Sequence, residues 1–193
     1  MQLNPTQNLA VDLLILAFDR ENNSVKIFTP TRKDSNKKAL PGVLLKPNES
    51  ISDAVQRTLD TKTEFSNLNY RLQELPAQTN PSRDPRGHVI SVPILVFLTE
   101  PIIDFTNWSN FEPELELDFD HTEMVNKAFS ILAQNWDKHP LPLLLTGNIT
   151  TLEETRDLLA HFQPYYVKTL PSNLRQMAFV QTFMKETDSF MAS

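Results

Sequence analysis

The sequence predicts an α+β domain followed by a small, mostly helical module. The apolar stretches at Leu9–Phe18 and Ser91–Leu98 have the composition of strands. Two segments between and after them, near residues 51–59 and 121–136, repeat their apolar residues at helical spacing. His139-Pro140-Leu141-Pro142 then breaks the pattern and marks a boundary. The expected division is residues 1–138 and 139–193.

Met1 to Gln7 is a polar lead. Leu9 to Phe18 is interrupted only by Asp12 and is expected to be a buried strand. Glu21-Asn22-Asn23-Ser24 is a hairpin-type turn, and Val25 to Phe28 is the returning strand. Thr31 to Lys38 is a basic loop carrying Arg32, Lys33, Lys37 and Lys38, either solvated or touching phosphate. Pro41-Gly42 is a turn signal. Ile51, Ala54, Val55, Thr58 and Leu59 then form a helical stripe, with Ser50 as N-cap and Asp53 as a capping-box partner.

Leu68 to Leu75 is a further expected strand. Pro93 points to an edge, a bulge or an early position in the strand that contains it. Alternation in Phe111, Leu115, Leu117 and Phe119, among several acids, admits a strand in the later half of 100–120. Trp108 either packs or faces a nucleotide base. The helix from His121 to Trp136 has a broad apolar stripe, with Asp120 as candidate N-cap. In the second module, Thr151 caps a helix over Leu152–Phe162, and Ser172 caps another through Met184. Two such helices fit a helix-turn-helix or a plain helical cap.

The segment LPGVLLKPNESISDAVQRTLDTKTEF, residues 40–65, resembles the signature of the Nudix hydrolases. Glu49, Arg57 and Leu59 stand at the positions of the first glutamate, the arginine and the aliphatic residue. Gly42 falls one residue before the first glycine, where Val43 stands. Thr58 replaces a glutamate, Thr61 and Lys62 replace the metal-binding glutamate pair, and Glu64 replaces the closing glycine. Magnesium takes oxygen ligands, usually carboxylates with substrate phosphates. Thr61 offers a neutral oxygen and Lys62 offers no acceptor at all. The resemblance therefore implies a Nudix-like mixed sheet with flanking helices, without catalytic residues, bound metal or cofactor. Its alternatives are a divergent pyrophosphohydrolase and a degenerate fold used for protein interaction.

A second passage, NPSRDPRGHVI, resembles a segment of Nudix proteins acting on ADP-ribose and of Nudix-like regulators of NAD metabolism. Asp84-Pro85 starts a turn and Gly87 permits φ > 0. Arg83 and Arg86 can present donor forks to a diphosphate, or an arginine can pair with Asp84 and stiffen the loop. Arg57 joins them as an expected ligand contact, with a salt bridge to Glu49 as its other role. The C-terminal stretch resembles the winged-helix domain of NrtR-type regulators. That resemblance implies double-stranded DNA contacts through Asn173, Arg175 and Gln176, with Lys168 and Lys185 near phosphates, in a homodimer.

Composition limits these readings. A chain of 193 residues suffices for one domain and a small module, and 40% hydrophobic residues can build a core. The absence of cysteine excludes disulfides and thiolate metal sites. No apolar run reaches bilayer-spanning length and the start lacks a signal-peptide profile, so a cytoplasmic protein without a membrane partner is expected. A net charge of -6 disfavours nonspecific DNA binding but permits a local basic patch. The expected function is a non-catalytic sensor of ADP-ribose or another nucleotide diphosphate that regulates transcription.

Overall fold

The computed structural model describes residues 8–84, 87–135, 141–147 and 151–162. Strand β1 (Asn8–Asp19) lies inside the sheet. Its alternate residues Leu13, Ile15 and Ala17 enter one apolar core, and Leu14, Leu16 and Phe18 enter another. Burial on both faces explains why this strand is almost continuously apolar. Strand β2 (Ser24–Phe28) returns antiparallel, placing Ile27 opposite Leu16. The turn between them uses Asn23 at φ 48°, a conformation asparagine tolerates. The Asp19 carboxylate accepts from the backbone N–H groups of Glu21 and Asn22, each at 3.2 Å.

The other strands are β3 (Gly42–Leu44), β4 (Tyr70–Glu74), β5 (Val89–Leu98) and β6 (Trp108–Asn110). The sheet runs β4-β5-β1-β2-β6, with β3 paired to the first half of β1. Only the β1–β5 pairing is parallel among the described strands, so the sheet is mixed. The short strands β3 and β6 had no separate signal in the sequence.

One expectation is narrowed and another is corrected. Of the three positions expected for Pro93, the edge is excluded because β5 runs between β4 and β1, and Pro93 lies in the first half of β5 where the register shifts by one residue between Glu74↔Ile94 and Gln78↔Ser91. Its carbonyl accepts from the Leu75 N–H at 2.9 Å, one residue past the end of β4. Proline, which cannot return that bond, thus sits where the ladder is irregular, and pairing resumes between Gln78 and Ser91. The acidic run after Phe111 is not a strand. Glu114 and Phe119 have φ of 67° and 57°, which break an extended ribbon. Thr122 Oγ1 instead ties the run to the next helix, donating to the Leu115 carbonyl at 2.9 Å and accepting from the Leu117 N–H at 3.0 Å.

Helices cover both faces of the sheet. Helix α1 (Ile51–Lys62) packs Val55 and Leu59 onto one face. Ser50 caps it, with the expected capping box to Asp53. The same core holds Trp108, whose ring lies 5.5 Å from Phe28 and 5.4 Å from Phe65, so Trp108 packs. On the opposite face lie α2 (His121–Asn135), a 3₁₀ helix (Leu141–Thr146) and α3 (Leu152–Phe162). Met124, Leu144, Leu158 and Phe162 enter one core with Leu14 and Phe97. Thr151 and Glu154 form the N-terminal capping pair of α3 at 3.1 and 2.9 Å. Arg20 Nε, from the β1–β2 turn, meets Glu154 at 2.8 Å and ties that turn to α3.

Trp136, His139 and Pro140 lie outside the described residues, as does the second expected C-terminal helix. No helix among the described residues is long and apolar enough to cross a membrane.

Candidate functional site

At one end of the sheet, the first half of β1, strand β3, the loop after β2 and the start of α2 enclose a cleft of about 760 Å³. Its wall includes five cationic side chains from three segments: Arg32, Lys33, Arg57, Lys62 and Arg83. Asp12 and Asp84 are its acids. The basic loop and the signature-like helix, far apart in sequence, thus face one space.

The floor is a buried polar network. Asp12 is the charged interruption of β1, and it is 7% exposed. Arg83 Nη2 donates to Asp12 Oδ2 at 3.1 Å, and Ser91 Oγ donates to the same oxygen at 2.6 Å. Arg83 Nε and Nη2 also grip Asp120 at 2.8 and 2.9 Å. Asp120, placed by sequence at the start of α2, gives its carboxylate to this arginine. The Arg83 side chain is 4% exposed. Such burial is tolerable because two carboxylates compensate the charge.

Gly42 is required beside this network. A Cβ there would lie 2.0 Å from Asp12 Oδ1 and 2.8 Å from the Val11 carbonyl oxygen. His121 Nδ1 accepts from the Leu40 N–H at 2.9 Å, so the proton of the neutral ring sits on Nε2, 3.7 Å from Asp12 Oδ1. Burial holds the His121 pKa below its ordinary 6.5, and that keeps the ring neutral.

The signature-like segment forms one cleft edge. Asn48, at φ 62°, turns the chain just before Glu49. Arg57 Nε and Nη2 donate to the two Glu49 oxygens at 2.6 and 2.7 Å. Glu49 also accepts from the Lys46 N–H at 2.7 Å. The Arg57 hydrogen bond, then the Lys46 N–H, hold the Glu49 pKa down from 4.5 to about 2.

The carboxylate form is therefore favoured by folding. Its stabilisation is present above pH 4.5 and is lost as pH falls through about 2. Carboxyl-carbon NMR should give Glu49 a midpoint near 2, and Arg57→Ala should move it towards 4.5. A midpoint near 4.5 in the unaltered chain would show that the pair does not persist in solution.

The remaining signature positions do not fit a divalent cation. Thr61 Oγ1 donates back to the Arg57 carbonyl at 2.6 Å. Lys62 Nζ donates to the Gly42 carbonyl. Glu49 is held by Arg57, and among the described residues no group of three or more His, Asp or Glu is placed to hold a metal. Thr58, where the family has a glutamate, is buried and donates to the Ala54 carbonyl at 2.7 Å.

Arg57 and Arg83, two expected ligand contacts, therefore line one cleft, each already engaged with carboxylates. Arg83 pairs with Asp12 and Asp120. Arg86 lies outside the described residues, as do Lys168, Asn173, Arg175, Gln176 and Lys185. Gly87 has φ 149°, as its residue type allows. Sequence reasoning did not assign Arg32, Lys62 or Asp12 to this site. Arg32 pairs with Asp118 and lies 4.3 Å from the centre of the Phe119 ring. The signal for Asp12 was present: a lone charge within a doubly buried strand must find partners.

No family model matches the chain. It is 28% identical over 194 residues to the ADPR responsive transcriptional repressor NtrR of Acinetobacter baylyi, covering 91% of this chain and 71% of the repressor. A MutT/nudix family protein from Enterococcus faecalis superposes with a TM-score of 0.73 at 23% identity, covering 91% of this chain and 83% of the other. NrtR of Shewanella oneidensis, solved with a 27mer DNA, superposes with a TM-score of 0.65 at 20% identity, covering 81% and 76%. With its mixed sheet between helices and its altered signature, the chain has a degenerate Nudix-like fold and resembles the NrtR-type regulators.

Proposed function

We propose that this protein is a non-catalytic sensor of ADP-ribose or a related nucleotide diphosphate, coupled to transcriptional regulation. The observation that carries the reading is the cleft in which five cations meet while the metal-binding glutamates are replaced. A diphosphate matches such a wall through charge-assisted hydrogen bonds. Arg57, Arg83 and Arg86 are the proposed ligand contacts, with Arg83 also organising the floor. The sequence likeness to an ADPR responsive repressor supports the ligand class. Hydrolysis is not part of the proposal, because Glu49 alone cannot replace a metal-binding set.

Residues 139–193 form the proposed regulatory module, a winged helix whose first helix, α3, docks on the Nudix-like core. Asn173, Arg175 and Gln176 would read DNA, with Lys168 and Lys185 on phosphates, in a cytoplasmic homodimer. The likeness to NrtR, solved with DNA, supports this assignment.

The test is calorimetric titration with ADP-ribose and NAD, followed by selection from a random double-stranded DNA library with and without the ligand. Specific enrichment that changes with ADP-ribose, and binding that weakens as salt rises, are the expected results. Arg57→Ala should weaken ADP-ribose binding about tenfold. Failure of every nucleotide to bind would overturn the sensor, and absence of any DNA enrichment would favour a protein-interaction role. Metal-dependent turnover of ADP-ribose abolished by Glu49→Ala would establish the hydrolase instead.

A further inference from the structure

We propose that Lys62 supplies, within the protein, the positive charge that a divalent cation would otherwise bring to a diphosphate in this cleft, so that the ligand binds without metal. The inference rests on the diphosphate-binding reading above and adds how the charge is met.

Lys62 occupies the second position of the altered glutamate pair, where the Nudix pattern calls for a metal-binding carboxylate. Its ammonium donates to the Gly42 carbonyl. One turn and a half earlier on α1, Arg57 Nη2 donates to the Leu44 carbonyl at 2.9 Å. Gly42 and Leu44 are alternate residues of β3, so their carbonyls point the same way. β1 pairs with the other side of β3: the Leu13 N–H donates to the Pro41 carbonyl, and the Leu45 N–H to the Leu9 carbonyl, both at 2.8 Å. The edge of β3 away from β1 thus carries two cationic heads, anchored roughly 7 Å apart along the strand. That separation suits one diphosphate, which can offer an oxygen from each phosphoryl group.

The two heads differ chemically. Arg57 is a planar fork whose Nε and Nη2 hold Glu49. Lys62 is a compact charge on a flexible stem, closer in character to a metal ion. An ammonium carries three donors, so one side chain can hold a strand carbonyl and meet a phosphate oxygen together. Lys62 is exposed at the end of its helix and belongs to neither apolar core, so its substitution leaves the packing intact. Restoring a glutamate there would set a negative charge where the phosphate charge arrives.

The experiment is calorimetry of the full chain with ADP-ribose, in EDTA and in magnesium, and with inorganic pyrophosphate in EDTA. The unaltered protein should bind ADP-ribose in both solutions with affinities within about twofold, and should bind pyrophosphate in EDTA. Lys62→Glu should weaken both ligands about tenfold or more in EDTA, while Lys62→Arg retains most of the affinity. Thermal melts check that both variants fold. ADP-ribose binding only with magnesium, or undiminished binding by Lys62→Glu in EDTA, would overturn the role of Lys62 and leave the sensor reading standing. No binding of either probe in any solution would overturn both.

Discussion

Replacing Arg83 with alanine is expected to lower the unfolding free energy by about 3–5 kcal/mol, the range for breaking a buried ion pair from one side. Arg83 is the cation shared by Asp12 and Asp120, at contact distances of 2.8 to 3.1 Å. Without it, Asp12 keeps the Ser91 hydroxyl and stands 3.7 Å from His121 Nε2, still inside the protein. Water cannot solvate that carboxylate fully, and the uncompensated charge is what destabilises. Arg83→Met combined with Asp12→Asn and Asp120→Asn should recover part of the loss, because the charges disappear together. Urea unfolding of the three proteins, the unaltered chain and the two variants, makes the comparison. A loss below about 1 kcal/mol for Arg83→Ala would show that the network is not maintained in solution. Ligand titration of this variant is informative only where the melt shows it folded, since Arg83 is proposed both to organise the floor and to line the cleft.

Phe111→Ala should cost a similar amount, about 3–5 kcal/mol, by leaving a cavity under a large buried side chain. Phe111 is 0% exposed. Its ring centre lies 5.5 Å from that of Phe129 in α2 and 6.0 Å from that of Phe162 in α3. Its carbonyl also meets His161 Nε2 at 2.6 Å, and burial depresses the His161 pKa, which keeps that ring neutral. The substitution therefore strikes the place where α3 meets the sheet. Hydrogen exchange should show the amides of Leu158 to Phe162 losing protection together with those of β2. Unchanged protection of α3 would mean that it is held independently of this aromatic seam. Coupled loss would provide the mechanical link that the proposed regulation needs, since a ligand effect must travel from the cleft end of the sheet to the C-terminal module.

The elements with strong local patterns were legible in the chain. β1 declared itself by an apolar run, and α1 by its stripe and its Ser50–Asp53 capping box. For Pro93 the sequence left an edge, a bulge and an early position open, and only the neighbouring strand, whose register shifts beside it, excluded the edge. The run through Leu115 and Leu117 alternates like a strand, yet positive φ at Glu114 and Phe119 and the Thr122 contacts fold it back. β3 and β6 are three residues each, too short for periodicity to register.

For the site, the sequence by itself determined which chemistry is missing. Thr61 and Lys62 are not metal-ligating carboxylates in any conformation, because side-chain chemistry is written in residue identity. The Glu49–Arg57 pair was also readable, since eight residues across a loop and two helical turns keep its partners local. Tertiary structure alone decided what Arg83 touches. Its partners, Asp12 and Asp120, lie 71 and 37 residues away, and their meeting depends on the parallel pairing of β1 with β5 and on where α2 begins. The pairings of β1 with β2 and with β3 bring Arg32 and Lys33 to the cleft of Arg57 and Lys62. A basic loop becomes part of a binding wall only when the sheet carries it there, because charge adds up through space and not along the chain.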